Sequence, residues 1–248
     1  MDNSVRRIGV LAPPANVALE REFPRYLPEG VVMSHNRLSR PGSAISGESL
    51  RAMADSVERA AHDLALAYPE VILYGCTSGS FLMGIGKEEE IARKITAHTG
   101  IPAFTTSTAV VEALRAVSAR SVFMITPYPQ DLNEHEIAFL KHYGFRVVGL
   151  DSFLCPVSKD IRAISSEQVA AMALAHRQEI ASADALFISC TNLLTMDKIA
   201  ELETALGRAV VSSNQASLWS ALQRLGVHEV RHPAGQLFGF ACQVETPR

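Results

Sequence analysis

The chain repeats itself at a fixed offset. Shifted by 114 residues, Ile8-Gly9-Val10-Leu11-Ala12-Pro13 falls on Val122-Phe123-Met124-Ile125-Thr126-Pro127. The same shift lays Val31-Val32 on Phe145-Arg146, and Val71-Ile72-Leu73-Tyr74-Gly75-Cys76-Thr77 on Ala185-Leu186-Phe187-Ile188-Ser189-Cys190-Thr191. After the cysteines the second copy is about seven residues shorter, so that Phe104-Thr105-Thr106-Ser107 corresponds to Val211-Ser212-Ser213-Asn214. Two apolar strands align easily by chance. Pro on Pro and Cys-Thr on Cys-Thr at one offset do not. Each copy reads strand-Pro, helix, strand, helix, strand-Cys-Thr, helix, strand-Ser/Thr, helix.

Hydrophobic periodicity places strands at 8–12, 31–35, 71–75, 101–104, 122–126, 145–150, 185–190 and 209–212. A helix is expected over 47–68, with Leu50, Met53, Val57, Ala60, Ala61 and Leu64 at steps of three and four. Similar patterns cover 87–98, 134–142, 166–179 and 197–206. Gly30, Gly100, Gly144 and Gly207 stand between helix and strand, where helix C-caps belong. Strands alternating with helices make an α/β protein with parallel sheets under helical cover. The repeat makes it two pseudo-symmetric lobes, one of residues 1–106 with 214–248 and the other of 107–213. Ligands of open α/β sheets sit beyond the carboxyl ends of the strands. The matched polar residues all lie there, so Cys76 and Cys190 are expected to meet in one cleft at the lobe interface.

Composition narrows the partners. With 23 Lys+Arg against 26 Asp+Glu and no charge blocks, the chain has no electrostatic footprint for nucleic acid or an anionic membrane. No apolar run approaches the roughly 20 residues of a membrane helix. The N-terminal residues run straight into a strand and leave no room for a signal peptide, which suggests a cytoplasmic protein. The four cysteines, at 76, 155, 190 and 242, lack the spacing of a zinc knuckle or redox pair. They are expected as free thiols with no metal. Cys155 and Cys242 have no repeat partner and read as small buried apolar residues.

Each paired cysteine ends a strand and opens into Thr-Ser-Gly-Ser (77–80) or Thr-Asn (191–192), read as a helix start. The helix dipole and free N–H groups there favour a thiolate. The same N–H groups and the hydroxyls of Thr77, Ser78 and Thr191 suit a carboxylate or a developing oxyanion. Two acid/base groups on opposite faces of one carbon suit racemisation, or addition and proton transfer in a cis–trans isomerisation. Neither needs a metal or an organic cofactor. Asn16, after the first strand, either binds a substrate carboxylate or caps the next helix. Tyr128 either offers its phenol to the same anion or is a surface loop aromatic. His35, His135 and His176 read as surface or core residues. The glycine-rich stretch 79–86 lacks both the dinucleotide and the phosphate-loop patterns. Segment 39–47 is a loop by composition, and a lid is one reading of it.

Arg7-Ile8-Gly9-Val10, Pro13, Asn16, Glu20, Tyr74-Gly75-Cys76-Thr77-Ser78, Thr126-Pro127-Tyr128 and Ser189-Cys190-Thr191-Asn192 together resemble the aspartate/glutamate racemase superfamily. Within it the chain is most similar to the maleate cis–trans isomerase and arylmalonate decarboxylase branch. The resemblance implies two flavodoxin-like lobes, cofactor independence and a homodimer. Arylmalonate decarboxylases have Gly where Cys76 stands and use the second thiol alone, whereas maleate isomerases carry both. By similarity, Cys76 adds to the alkene carbon, rotation follows, and Cys190 is the acid/base partner. Asn16 and Tyr128 then hold carboxylates, and Thr77 and Ser78 support the enolate-like intermediate. The expected function is maleate to fumarate. The alternatives are an amino-acid or hydantoin racemase, an arylmalonate-type decarboxylase, and a non-catalytic small-acid binder.

Overall fold

Strands form where the apolar runs fall. In the computed structural model, which describes residues 5–241, β1 (Arg6–Ala12), β2 (Val31–Arg37), β3 (Val71–Tyr74) and β4 (Ala103–Thr105) build a parallel sheet in the order β2-β1-β3-β4. A second parallel sheet, β6-β5-β7-β8, comes from β5 (Ser121–Thr126), β6 (Arg146–Ser152), β7 (Ala185–Ile188) and β8 (Ala209–Ser212). Strands β3, β5, β7 and β8 are buried along their whole length, as parallel strands covered on both faces must be.

The repeat extends to register. Ile8 pairs with Val71 in the first sheet and Val122 with Ala185 in the second, each partner 114 residues on (8 to 122, 71 to 185). Ile8↔Met33 likewise returns as Val122↔Val147. One irregularity separates the copies, a register shift between Val122 and Phe123 that brings Gly149 opposite Phe123. A Cβ at 149 would lie 2.6 Å from the Phe123 ring, so only glycine lets the strand pass. In both sheets the chain reverses its winding between the first and third strands of the copy, which opens a crevice at their carboxyl ends.

The helices are shorter than their periodicity suggests. The expected helix over 47–68 is Gly47–Met53, a 3-10 turn Ala54–Ser56, then Val57–Ala65. Ser56 causes the break locally, because its hydroxyl donates to the Met53 carbonyl at 2.8 Å and accepts from the Ser39 N–H at 2.8 Å. The stretch 166–179 divides into Ser166–Ala175 and Arg177–Ile180, with His176 at the joint bonded to Asp151 at 2.8 Å. None of the helices in the described residues is long and apolar enough to cross a membrane.

Helices Thr106–Ala116 and Ser213–Arg224 follow the last strand of each sheet and pack on one another between the sheets. Thr105 and Ser212, at matching places in the repeat, cap them by accepting from the N–H of Thr108 and Gln215. Ser213–Arg224 is buried from Ser213 to Leu222, and its hydroxyls find partners across the interface: Ser217 on Thr106 at 3.1 Å and Ser220 on Glu112 at 2.6 Å. Arg224 closes the pair with a two-pronged contact to Glu112, at 2.7 and 3.0 Å, while stacking over Phe104 at 4.3 Å. Glu112→Ala is expected to lower unfolding stability by about 1–3 kcal/mol, between the values for exposed and buried pairs, as measured in urea.

Candidate active site

The two crevices face each other, and a cavity of about 40 Å³ lies between them. Asn16, Cys76, Thr77, Ser78, Tyr128, Cys190 and Thr191 all border it. One sequence repeat therefore becomes one site, with a thiol from each copy.

Cys76 is held as foreseen. It leaves β3 in extended conformation and caps the short helix Thr77–Phe81, its sulfur accepting the Gly79 N–H at 3.2 Å. The Ser78 hydroxyl lies 3.8 Å from the same sulfur. Gly79 makes this contact possible, because a Cβ there would stand 2.7 Å from the Tyr74 hydroxyl and 3.0 Å from the Cys76 sulfur.

Cys190 is held differently, and the expected helix after it does not form. Residues 191–198 run as turns before the helix Ile199–Leu206 begins. Cys190 itself has φ +99°, in the left-handed region that a side chain disfavours. Its N–H donates to Ser213 Oγ at 3.0 Å, and its sulfur accepts the Asn192 N–H at 3.4 Å.

The expectation that both thiols ionise readily is also overturned. Burial pushes the Cys76 thiol above its ordinary value, outweighing the Gly79 N–H, Ser78 and the positive charge of Arg40. Burial pushes Cys190 further, up to about 12, against the Asn192 N–H and the nearby Tyr128 hydroxyl. Desolvation of a charge exceeds what a single turn of helix supplies. At neutral pH the resting site holds Cys190 as a protonated acid.

Asn16 does what its capping reading requires. Its Oδ1 accepts the N–H groups of Ala18 and Leu19, at 3.0 and 3.3 Å, at the start of helix Ala18–Tyr26. Its Nδ2 donates to Thr191 Oγ1 at 2.9 Å. Thr191 in turn donates to the Gly75 carbonyl at 3.0 Å, and Thr77 donates to Ser213 Oγ at 2.9 Å. These three side chains border the cavity while tying the copies together. Tyr128 is not a surface aromatic. It is buried, edge-on to Phe81 at 6.3 Å between centroids, and its hydroxyl lies beside Cys190 and Ser189 without a well-formed hydrogen bond to either.

Several bordering residues were not among the site residues expected from the sequence. Arg40, Ile45 and Leu50 come from the segment after β2, and Ser158, Ile161 and Asn192 from the second copy. Glu136 lies behind the site, its Oε1 accepting the Ser189 hydroxyl at 2.6 Å. Burial raises its carboxyl to about 8, so it is predominantly protonated at neutral pH. Its position was visible, since Leu132, Glu136, Phe139 and Leu140 make one buried helix stripe with an acid in it. Cys155 is buried but does not border the cavity, and Cys242 lies outside the described residues. Among the described residues no group of His, Cys, Asp and Glu could hold a metal ion.

Glu136 generates a prediction. With its folded value raised from 4.5 to about 8, its contribution to stability is complete below pH 4.5 and is lost as pH rises through 8. The urea midpoint of Glu136→Gln is expected to fall less than that of the parent between pH 5 and pH 8.

The sequence pattern of the arylmalonate decarboxylase family matches residues 8–238. The chain is 32% identical to a maleate isomerase of Nocardia farcinica over 241 residues, covering 94% of this chain and 95% of that protein. It is 29% identical to an arylmalonate decarboxylase of Bordetella bronchiseptica over 237 residues, covering 95% and 97%. Among solved structures, a serine-for-cysteine variant of the Nocardia farcinica maleate isomerase, holding a covalently bound succinylcysteine intermediate, superposes with a TM-score of 0.86. The identity there is 28%, with 94% of this chain and 98% of that one covered. With the match running across both sheets and both thiols, the chain belongs to the arylmalonate decarboxylase family.

Proposed function

We propose that the protein is a cofactor-independent cis–trans isomerase of a small dicarboxylate, converting maleate to fumarate. The observation that carries this reading is the pairing of two free thiols, one from each repeat, on a single small cavity. Its volume of about 40 Å³ holds only about three or four waters, at 10–15 Å³ each, which suits a four-carbon diacid. The relatedness to maleate isomerases supports it.

In this mechanism Cys76, protonated at rest, gives up its proton to water as the substrate binds and adds as thiolate to one alkene carbon. The π electrons move to the other carbon and its carboxylate, and the former double bond becomes a rotatable single bond. Cys190, held protonated by burial, donates its proton to that carbon. After rotation the Cys190 thiolate takes a proton back from that carbon and the Cys76 sulfur leaves as thiolate, which regains its proton from water, so that both thiols return to their starting states. Ser78 and the Gly79 N–H stay within reach of the Cys76 sulfur throughout, and Tyr128 holds a carboxylate. Asn16 offers the substrate the second hydrogen of its Nδ2, the first being given to Thr191. Thr77 and Thr191 reach the substrate only by turning their single hydroxyl hydrogens from Ser213 and the Gly75 carbonyl. The lobes of 1–106 with 214–248 and of 107–213 are the units between which the substrate sits.

A second reading, decarboxylation of a substituted malonate, is favoured by the apolar side of the cavity, where Ile45, Leu50 and Ile161 would face an aryl group. It uses Cys190 alone.

Proton NMR of the protein with maleate in deuterated buffer, without added cofactor, separates them. Fumarate is expected to form, at a rate reduced at least 1000-fold in Cys76→Ser. In Cys190→Ser, a mass increase on the Cys76 peptide equal to maleic acid marks the stalled adduct. Decarboxylation of an arylmalonate that survives Cys76→Gly would replace the isomerase reading, and deuterium entering the α position of an amino acid or hydantoin would replace it with a racemase. Binding of a small acid with no turnover of any would leave a binding protein. The reading also takes the protein to be a cytoplasmic homodimer, so light scattering should give twice the chain mass of 26.9 kDa.

A further inference from the structure

Counting donors on the cavity wall leads beyond the two thiols. The Asn16 amide is engaged with Thr191, Ala18 and Leu19, and the hydroxyls of Thr77 and Thr191 donate to Ser213 and the Gly75 carbonyl. Of the residues bordering the cavity, two carry a buried side-chain polar atom without a well-formed hydrogen bond: Tyr128, at its hydroxyl, and Arg40, at Nε. A diacid brings two carboxylates to this space.

Arg40 is placed there by the backbone. The segment after β2 crosses to the second sheet, where Ala44 bridges Val157, the Ile45 N–H donates to the Pro156 carbonyl at 3.0 Å and the Ser158 N–H to the Ser43 carbonyl at 3.2 Å. Arg40 Nη2 donates to Ser158 Oγ at 2.7 Å, which fixes the guanidinium across the gap between the copies. Arg37 and Arg224 each have a carboxylate partner, Glu20 and Glu112. Arg40 has none among the described residues, and it lines the same cavity as the Cys76 thiol, on which its charge acts. A buried N–H without an acceptor is costly, and a half-buried cation without a counterion adds to that cost. A bound carboxylate removes both costs at once.

We propose that Arg40 is the specificity-determining residue that takes the second carboxylate of a dicarboxylate substrate, opposite the one held by Tyr128. The inference rests on the reading of the site as a dicarboxylate site. It makes the crossing segment a part of substrate recognition, and it places a positive charge beside the carbon that Cys76 attacks.

Two unreactive probes test it on the full-length protein: succinate, with two carboxylates, and butyrate, with one. Calorimetry at pH 7 is expected to show succinate binding at least 10-fold more tightly than butyrate. Arg40→Met, which keeps the side chain's length and apolar stem, should weaken succinate by about 10- to 100-fold and leave butyrate within 2-fold, as loss of a charge-assisted hydrogen bond predicts. Arg40→Lys should recover part of the loss. Succinate affinity unchanged in Arg40→Met would overturn the proposal, and so would an equal loss for both probes, which would make Arg40 only a brace for the segment. Because no turnover is needed, the outcome is separable from the isomerase reading. Arg40-dependent succinate binding without fumarate formation would uphold the site and discard the reaction. Fumarate formation with an unchanged KM in Arg40→Met would do the reverse.

Discussion

Thr191 donates its hydroxyl to the carbonyl of Gly75, 116 residues earlier in the chain, and accepts from Asn16. Thr77 makes the reciprocal reach, to Ser213 beside the other cysteine. The first bond joins the loops that carry the two thiols directly, and the second joins them through Ser213, which also accepts the Cys190 N–H. The sheets position the loops only roughly, since a strand end leaves several backbone paths open. The crossed threonine bonds select one path each, and all are buried. Left unpaired, each would cost about 1–3 kcal/mol, so the two copies are held in a single relative placement.

The same closeness sets the chemistry. Water excluded from the junction cannot solvate a thiolate, and the thiols stay protonated until something else brings charge compensation. Each has a different reserve of help. Cys76 has a helix start, a glycine N–H, a serine hydroxyl and the field of Arg40. Cys190 has one N–H and the Tyr128 hydroxyl, with Glu136 behind it. Two residues that a sequence repeat presents as equivalent are thereby split into a sulfur more easily ionised and one that keeps its proton. That is the division of labour an addition followed by protonation needs.

Much of this was legible in the residues. The offset of 114 predicted two matching parallel-sheet lobes and, through the cysteines, a shared cleft between them, while the strand order came from the structure. Periodicity found the strands because parallel strands buried on both faces are unbroken apolar runs. Helix interiors were found and their ends were not, since Ser56 and His176 break helices through contacts with residues 17 and 25 positions away. The sign of the thiol shifts was missed for a similar reason: a helix start is written in the sequence, whereas the depth of burial depends on the opposite copy. Arg40 was hidden because an arginine in a polar loop looks solvent-facing until the loop is seen to cross the interface. Glu136 could have been found, as an acid within an apolar helix stripe.

The backbone at the two cysteines differs in one further respect. Cys76 sits at φ −144°, where any residue is at ease, and Cys190 at φ +99°, where glycine alone is comfortable. Such a conformation costs on the order of 1–3 kcal/mol for a residue with a Cβ. The first thiol can be exchanged during evolution without disturbing the main chain, so enzymes built on this scaffold are free to keep it or lose it. The second occupies a position whose most stable tenant would have no side chain at all. Its presence there is a standing sacrifice of stability, and a chain that had abandoned chemistry at this site would gain by replacing it.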